Sequence, residues 1–362
     1  MFTFIVFILV LSVLVLVHEA GHFIVAKKTG MKVEEFGLGF PPRLWSFQHN
    51  GTIYSINVIL FGGFVRIFGE EGEQRTAPGS FGFAGFWSQL AVVFAGVAMN
   101  LVLAAVLLVI CNFGGLRVGI FDEDMAARAR DVKVQIIQVL QSSPAERAGL
   151  RPLDEILGFK QTDRSELERI ATPEDVQKFA YSHMDASVII TIRRGADSVD
   201  LPLALRSSSN PNEGPIGISL ARTGVVRYPW YQSMWLGVVD TWHLFTATLV
   251  GYGGLLASLF RTGSLGADIS GPIGIASMTG QAARVGFTYL LQFMAMISVN
   301  LAVLNVLPFP ALDGGRAVMI IAQKLRGKSL RESTERTIHA LGFIVLLVLM
   351  VAVTIKDVVK LF

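Results

Sequence analysis

The segment "LVLVHEAGHFIVAKK" places two histidines and a glutamate at the end of an almost wholly apolar run. On a helix His18 and His22 are four residues apart and share a face, so both imidazoles can bind one Zn²⁺. Glu19 lies one residue round the helix and is placed to take a proton from water that the metal activates. Because ionisable groups inside hydrocarbon are costly, the pattern favours a metal site over a chance occurrence.

A catalytic zinc usually has three protein ligands, and the best candidate for the third is Asp313 in "LPFPALDGGR". His18 precedes Lys27 by nine residues, and Asp313 precedes Lys324 by eleven. At about 1.5 Å per helical residue, both lie roughly 14–16 Å below the same basic border. The sequence therefore predicts that the three side chains meet at one depth.

Other ionisable residues are weaker candidates for metal ligands. Asp240 and His243 lie on a separate amphipathic segment, His339 lies at a helix start near basic residues, and His49 lies beside a turn. All four are interpreted as ordinary surface or boundary residues.

Pro308 and Pro310 are expected to break the helix just before Asp313 and to free backbone donors and acceptors. An amide inside hydrocarbon needs a hydrogen-bonding partner. Asn305 could therefore hold an extended peptide beside the metal, or it could bond to a neighbouring helix. For Asn300, helix-to-helix bonding is favoured.

The composition indicates a membrane protein. The chain has 362 residues, of which 52% are hydrophobic and 16% charged, against about a quarter charged in soluble domains. The formal charge of +3 does not suggest a nucleic-acid partner. The first apolar run lacks a basic leader and a cleavage site, so it is interpreted as a retained anchor.

Four apolar runs are long enough to span a bilayer, given the roughly 20 residues required. They are Phe4 to Ala26, Gln89 to Ile110, Phe287 to Leu312, and Ala340 to Thr354 with its flanks. Basic residues after the first and third runs predict cytoplasmic flanks there. This topology requires that a fifth stretch, Trp230 to Phe260, does not span, and its pattern favours an interfacial amphipathic helix.

Two segments are predicted to contain strands. Residues 33 to 69 alternate around Asn50-Gly51, which indicates a hairpin at the cytoplasmic boundary. Residues 131 to 222 indicate a soluble domain with short capped helices at "SPAERAGL" and "TPEDVQKFAYS" and a loop at "SSSNPNEG". Its predicted strands are "VKVQIIQVL", "SVIITIRR", "VDLPLAL" and "GPIGISLA".

Together these residues resemble the site-2 protease family of intramembrane zinc metalloproteases, and most closely its bacterial branch that includes the regulator of sigma-E protease. The resemblance covers nearly the whole chain. The segments that carry it are "HEAGHFIVAKKTGMKVEEFGLGF", "YSINVILFGGFVRIFGE", "FAGVAMN", "SGPIGIA" and "NVLPFPALDGGR".

The resemblance implies that His18, His22 and Asp313 bind Zn²⁺ and that Glu19 is the general base. It implies that Asn305 and Pro308 accommodate the substrate. The residues that it assigns to an edge strand holding the substrate extended are Gly62, Gly63, Phe64 and Val65.

The outer domain resembles a PDZ domain through "VLQSSPAERAGLRPLDEIL". Its expected role is to exclude substrates with bulky outer domains or to bind a C-terminal peptide. The chain departs from the usual patterns at Val97, where the family usually has proline, and at Leu153, where PDZ domains often have glycine. In addition, "QTDRSELERIAT" replaces a short turn.

The predicted fold class is a polytopic α-helical membrane protein with four transmembrane helices, a membrane-associated β-hairpin region and an extracytoplasmic PDZ-like α+β domain. The predicted divisions are 1–28 (first span), 29–85 (β region), 86–112 (second span), 131–222 (PDZ-like domain), 223–286 (amphipathic helix and GPIG loop), 287–323 (third span with LDG), 324–339 (cytoplasmic loop) and 340–362 (fourth span).

The predicted function is cleavage of transmembrane segments by a zinc endopeptidase in the cytoplasmic membrane of a bacterium. Its partners would be the bilayer and single-span substrates such as anti-sigma factors or remnant signal peptides. The alternatives are a catalytically silent membrane adaptor, against which the intact Glu19 argues, and a metal transporter. A transporter would need a polar path, and the other spans offer few ionisable groups.

Overall fold

The structure is a computed structural model that describes residues 1–70, 73–120, 122–161, 166–207, 214–262, 271–328 and 332–359. The chain divides into two compact units. The helical unit comprises Met1–Ile110, Ser233–Ala283 and Leu290–Phe362, and the sheet unit comprises Cys111–Gln232 and Arg284–Tyr289.

The described residues form ten α-helices and nine strands, with a short 3₁₀ helix at Glu73–Thr76. The helices are α1 (Phe2–Lys28), α2 (Phe86–Gly114), α3 (Glu123–Arg128), α4 (Pro144–Arg147), α5 (Pro173–Ser182), α6 (Trp230–Thr262), α7 (Pro272–Val285), α8 (Phe287–Val306), α9 (Asp313–Arg326) and α10 (Glu332–Val359). The strands are β1 (Val33–His49), β2 (Thr52–Ile67), β3 (Leu116–Gly119), β4 (Arg130–Val139), β5 (Glu155–Gln161), β6 (Glu168–Arg169), β7 (Ser187–Arg194), β8 (Asp197–Ala204) and β9 (Ile218–Val226).

Among the described residues, four helices are long and apolar enough to cross a membrane: α1, α2, α8 and, from Ser333, α10. These are the four runs predicted from the sequence. Large apolar side chains of α10 such as Phe343, Ile344 and Val348 are exposed. Exposed apolar side chains along a whole helix are what a lipid-facing segment requires.

The third predicted span is two helices rather than one. Helix α8 ends at Val306, and α9 begins at Asp313 after a turn that contains Pro308 and Pro310. Proline lacks the N–H that would continue the helical ladder, so the break occurs where the two prolines stand. The predicted break before Asp313 is therefore confirmed, and the division 287–323 contains α8 and most of α9.

Two predicted loops are largely helical. Most of the predicted cytoplasmic loop 324–339 is helical, because α9 continues to Arg326 and α10 already begins at Glu332. Gly327 ends α9 in a left-handed conformation, as is usual for a glycine that closes a helix. The GPIG loop predicted within 223–286 is also wrong, because Pro272 occupies the first position of α7, where its fixed φ suits a helix start.

Helix α6 is continuous over 33 residues and is not among the four spanning candidates. It packs on α2, where a Cβ at Gly237 would lie 2.5 Å from the Val109 side chain. Fifteen residues later, the Tyr252 hydroxyl donates to Asn300 Oδ1 of α8 at 3.2 Å. These two contacts hold α6 along the helical unit, and its position relative to a membrane stays a prediction.

Strands β1 and β2 form the predicted antiparallel hairpin around Asn50-Gly51. Both turn residues have positive φ, 47° and 76°, which an Asn-Gly pair adopts readily. The two long strands fold back on themselves, since Phe36 pairs with both Tyr54 and Val65. The first half of β1 therefore lies between the two halves of β2. The second half of β2, residues 59–67, is left as an outer segment of this small sheet.

The sheet unit contains one antiparallel sheet in the order β3-β9-β4-β5-β7-β8, with β6 paired to β5. Its core contains Ile136, Phe159, Ile190 and Leu203, all at most 1% exposed. The unit extends beyond the predicted limits 131–222, because β3 pairs with the end of β9, Leu116 opposite Val226.

Local predictions in the sheet unit are confirmed where they rest on strong signals. Strands lie at "VKVQIIQVL", "SVIITIRR" and "VDLPLAL", and helices α4 and α5 have Ser143 and Thr172 as N-caps. The strand predicted at "GPIGISLA" begins only at Ile218. Leu153, where glycine is common in PDZ domains, has a positive φ of 74°. Most of the predicted loop "SSSNPNEG" (208–213) and part of "QTDRSELERIAT" (162–165) lie outside the described residues.

Candidate metal centre

Helix α1 presents His18 and His22 toward α2 because the two helices pack closely at glycines. A Cβ at Gly21 would lie 2.3 Å from the carbonyl oxygen of Ala95. A Cβ at Gly96 would lie 2.4 Å from His22 Nε2 and 2.7 Å from His18 Nε2. Distances below 3.0 Å are not tolerated, so only glycine at position 96 leaves room for both imidazoles and their approach to a common point.

The side chains of His18, His22 and Asp313 converge, as the sequence predicts. The two Nε2 atoms are 3.1 Å apart, and Asp313 Oδ2 lies 3.2 Å from His18 Nε2 and 3.4 Å from His22 Nε2. Ligands of a tetrahedral zinc with bonds of about 2.0–2.1 Å are separated by about 3.3 Å. The triangle of donor atoms therefore fits Zn²⁺ in its size and in its nitrogen and oxygen donors.

Asp313 Oδ2 supports the same fit. Its distances to the two imidazoles lie within ion-pair range, yet it is buried without a hydrogen bond of acceptable geometry among the described residues. The three donor atoms lie close enough together to share one position, with His18 Nε2 and His22 Nε2 3.1 Å apart. Two imidazoles and a carboxylate this close together form a donor set typical of zinc.

The backbone around Asp313 depends on the two glycines that follow it. A Cβ at Gly314 would lie 2.2 Å from the carbonyl oxygen of Val306, and one at Gly315 would lie 2.1 Å from that of Phe309. The start of α9 therefore packs directly on the turn that follows α8. This explains why the carboxylate is followed by two glycines.

The same turn is held from α10 and from the segment after the hairpin. The backbone N–H of Ala311 donates to His339 Nδ1 at 3.3 Å, so His339 supports the turn and is not a metal ligand. Arg316 forms an ion pair with Glu70, and its guanidinium lies 4.7 Å from the centre of the Phe81 ring. These contacts fix the first turn of α9, and with it Asp313.

Each imidazole has a partner at its other ring nitrogen. His22 Nδ1 lies 2.8 Å from the carbonyl oxygen of Val92, and His18 Nδ1 lies 3.3 Å from Asn100 Nδ2. Such partners orient metal-binding histidines. Gly96 and Asn100 lie within "FAGVAMN", and the sequence alone gives neither of them a role. No local signal links them to histidines more than seventy residues away.

Glu19 follows His18 on α1 and lies close to the outer segment of the hairpin. A Cβ at Gly63 would lie 3.7 Å from Glu19 Cγ, and one at Gly62 would lie 3.2 Å from the Val15 side chain of α1. The predicted substrate-binding stretch Gly62 to Val65 is thus beside the general-base candidate. Its role in binding substrate stays a prediction.

The two asparagines of α8 differ in their contacts. Asn300 is used in packing, because it accepts from Tyr252 and donates to the Met296 carbonyl oxygen at 3.0 Å. The Asn305 side chain is half-buried and forms no hydrogen bond within the described part of the chain. Pro308 is exposed in the turn. Asp240, His243 and His49 are not part of the metal-binding group.

Comparison with known proteins identifies the family. Residues 6–349 match the profile of peptidase family M50. A Clostridium perfringens protein, provisionally named a zinc metalloprotease, is 33% identical over 357 residues, covering 97% of each chain. A similarly named protein of Clostridium acetobutylicum is 31% identical over 99% of this chain and 98% of its own. Zinc metalloprotease RasP of Oceanobacillus iheyensis is 28% identical over the full length of both chains.

The chain belongs to peptidase family M50, the site-2 protease family. It is a zinc metalloprotease of that type, and Zn²⁺ is its expected cofactor. Together with its four apolar helices, this makes it a multi-pass membrane protein with an additional sheet domain.

Proposed function

We propose that the protein hydrolyses peptide bonds within transmembrane segments of other membrane proteins. The observation that carries the proposal is the position of the His18, His22 and Asp313 triangle. Two of its members lie on a helix apolar enough to span a membrane, and the third begins the helix after another such span. A hydrolytic site at that depth would act on substrates that are themselves in the membrane.

Each side chain of the site would have a separate role in peptide-bond hydrolysis. His18, His22 and Asp313 would hold Zn²⁺, which acts as a Lewis acid on a scissile carbonyl and lowers the pKa of water. The Glu19 carboxylate would accept the proton of the attacking water and deliver it to the leaving amine nitrogen. The Val92 carbonyl oxygen would keep the His22 imidazole oriented throughout.

The outer segment of the hairpin would hold the substrate as an extended strand. In a helix the carbonyl groups are bonded internally, so a transmembrane segment must open before it is cleaved. Addition to the edge of a sheet replaces those bonds with new ones. Residues Gly62 to Val65 lie on this edge beside Glu19. Asn305 near the end of α8 and Pro308 in the turn that follows would contact the opened chain.

The proposed setting is the cytoplasmic membrane of a bacterium, with the sheet unit outside the cytoplasm. The positive-inside rule supports this orientation, because Lys27 and Lys28 end α1 and Lys324 and Arg326 end α9. Substrates would be single-span proteins such as anti-sigma factors, or remnant signal peptides. Substrates with small extracytoplasmic regions would suit a site that is reached from within the membrane.

Purified protein in proteoliposomes should cleave a single-span model substrate within its apolar segment. A zinc chelator should abolish the cleavage, and added Zn²⁺ should restore it. Mass spectrometry of the two products locates the cut. Cleavage only outside the apolar segment would refute intramembrane hydrolysis, and no cleavage by zinc-loaded protein would favour a silent adaptor.

We also propose that the sheet unit is a PDZ-like domain that binds a C-terminal peptide. A groove of about 400 Å³ lies between α5 and the beginning of β9 and is lined by Val176, Ala180 and Tyr181 on one side and by residues 214–220 on the other. Strand β3 pairs with β9 only from Thr223 onward, and the N–H of Ile120 bonds the carbonyl oxygen of Arg222. Among the described residues, the edge of Ile218 to Ala221 is therefore uncovered on that side. A peptide could add to this edge as a strand.

Full-length protein in detergent should bind a fluorescent peptide with a free, apolar C-terminus, and amidation of that C-terminus should weaken binding. Fluorescence anisotropy measures both. Tyr181→Ala, which removes one wall of the groove, should weaken binding further, whereas the exposed Glu166→Gln should not. Equal affinity for free and amidated peptides would contradict recognition of a C-terminus.

A further inference from the structure

Asn100 is a fully buried amide on the second span, in contact with a side chain of the metal centre. Its side chain is 0% exposed, and its amide lies 3.3 Å from His18 Nδ1. Its Oδ1 atom has no hydrogen-bond partner among the described residues. Buried polar groups are nearly always paired, so an amide held here without complete pairing needs an explanation.

Asn100 is also held by the helix that leads to Asp313. The Ser298 hydroxyl of α8 donates to the backbone carbonyl oxygen of Asn100 at 2.7 Å, and Ser298 is itself fully buried. This bond fixes Asn100 on α2 against α8. Asn100 therefore contacts elements that supply His18 on one side and precede Asp313 on the other.

The metal centre determines which end of the amide must face His18. His18 Nε2 lies 3.1 Å from His22 Nε2 and 3.2 Å from Asp313 Oδ2, so Nε2 is the atom available to a metal. A neutral imidazole has one N–H, and a ring that binds metal through Nε2 carries its hydrogen on Nδ1. Nδ1 is then a donor and requires an acceptor.

The amide nitrogen of Asn100 cannot be that acceptor, whereas its oxygen can. Rotation of the amide by about 180° exchanges the two ends, which have nearly the same shape. With the nitrogen facing His18, Oδ1 has no hydrogen-bond partner among the described residues, so bonding at that end gives no reason to prefer this orientation of the amide. The Nδ1–H of His18 needs an acceptor, and this need decides the orientation: the amide oxygen must face His18.

We propose that Asn100 is a positioning residue for the zinc site, with Oδ1 accepting the Nδ1–H of His18 and so directing His18 Nε2 toward the metal. The Val92 carbonyl oxygen lies 2.8 Å from His22 Nδ1 and plays the same orienting role for His22. The acceptor for His18 is a side chain and the acceptor for His22 is a backbone carbonyl, so only the first can be removed by a substitution. The inference deepens the proposed function, but it concerns metal affinity and not the substrate.

The test compares zinc affinity in Asn100 variants by competition with a chromophoric chelator. Asn100→Leu removes the acceptor with a similarly branched side chain and should weaken zinc binding about 10- to 100-fold, the usual effect of losing such a partner. Asn100→Asp restores an acceptor and should recover most of the affinity. Asn112→Leu, the same change at another buried asparagine on α2, should bind zinc as the wild type does.

Thermal unfolding and gel filtration check that each variant is folded, and Asn100→Ala replaces Asn100→Leu should the larger side chain disturb packing. X-ray absorption at the zinc edge should show fewer ordered histidine ligands in the Leu or Ala variant. A folded variant without an acceptor that binds zinc as tightly as the wild type overturns the inference. Zinc-loaded wild type that cleaves nothing refutes the proposed function instead, and leaves the affinity comparison intact.

Discussion

Glu19→Gln should abolish cleavage of a transmembrane substrate while leaving zinc binding unchanged. Glutamine has nearly the same size but cannot accept a proton from water. General-base catalysis contributes about 10²- to 10⁴-fold to a rate, so kcat/KM should fall by at least that factor. Glu19 is not one of the three converging side chains, and its replacement leaves their donor atoms in place. Single-turnover cleavage assays and metal analysis on the same preparation measure both quantities.

The matched control is Glu166→Gln, the same change at an exposed position in the sheet unit, which should leave cleavage and zinc content unchanged. Cleavage by Glu19→Gln at the wild-type rate would refute the role of Glu19 as the base. Loss of zinc together with loss of cleavage would show instead that Glu19 contributes to metal binding.

Much of the helical unit could be predicted from the sequence because lipid imposes a simple requirement. An apolar run of sufficient length must be a helix, and four such helices were found where hydropathy indicates them. The meeting of His18 and Asp313 was also predictable, since the distance of each from a basic border gives its depth. Helix boundaries were less predictable. At the start of α10 the polar stretch from Glu332 is helical, and Arg75 forms an ion pair with Glu335 there at 2.6 Å.

The contacts that complete the site could not be predicted from one sequence. Gly96 and Asn100 act on histidines of another helix, and a single apolar segment such as "FAGVAMN" does not indicate which of its faces meets which neighbour. The fold of the hairpin could not be predicted in full from the sequence either. Alternation and Asn50-Gly51 predict two strands, but not that each strand bends so that Phe36 pairs on both sides. Long-range pairing of this kind is a property of the packed structure.

Gly96→Ala should weaken zinc binding strongly without altering any ligand. The added methyl carbon would lie 2.4 Å from His22 Nε2, 2.6 Å from His18 Cε1 and 2.7 Å from His18 Nε2. Either the imidazoles turn away or α1 and α2 separate, and both movements break the triangle. Overpacking of this kind costs about 1–3 kcal/mol, which corresponds to roughly 5- to 150-fold weaker binding. We expect the upper end, because the methyl would contact the donor atoms themselves.

The direction of this effect is informative because alanine is the better helix former, by about 1 kcal/mol over glycine. A loss of zinc affinity in Gly96→Ala therefore cannot come from a weaker helix. Gly114→Ala makes the same change at the end of the same helix, where a Cβ would meet nothing within 4 Å, and should bind zinc normally. Chelator competition measures both variants. Wild-type zinc affinity in Gly96→Ala would mean that the two imidazoles do not meet the metal against this face of α2.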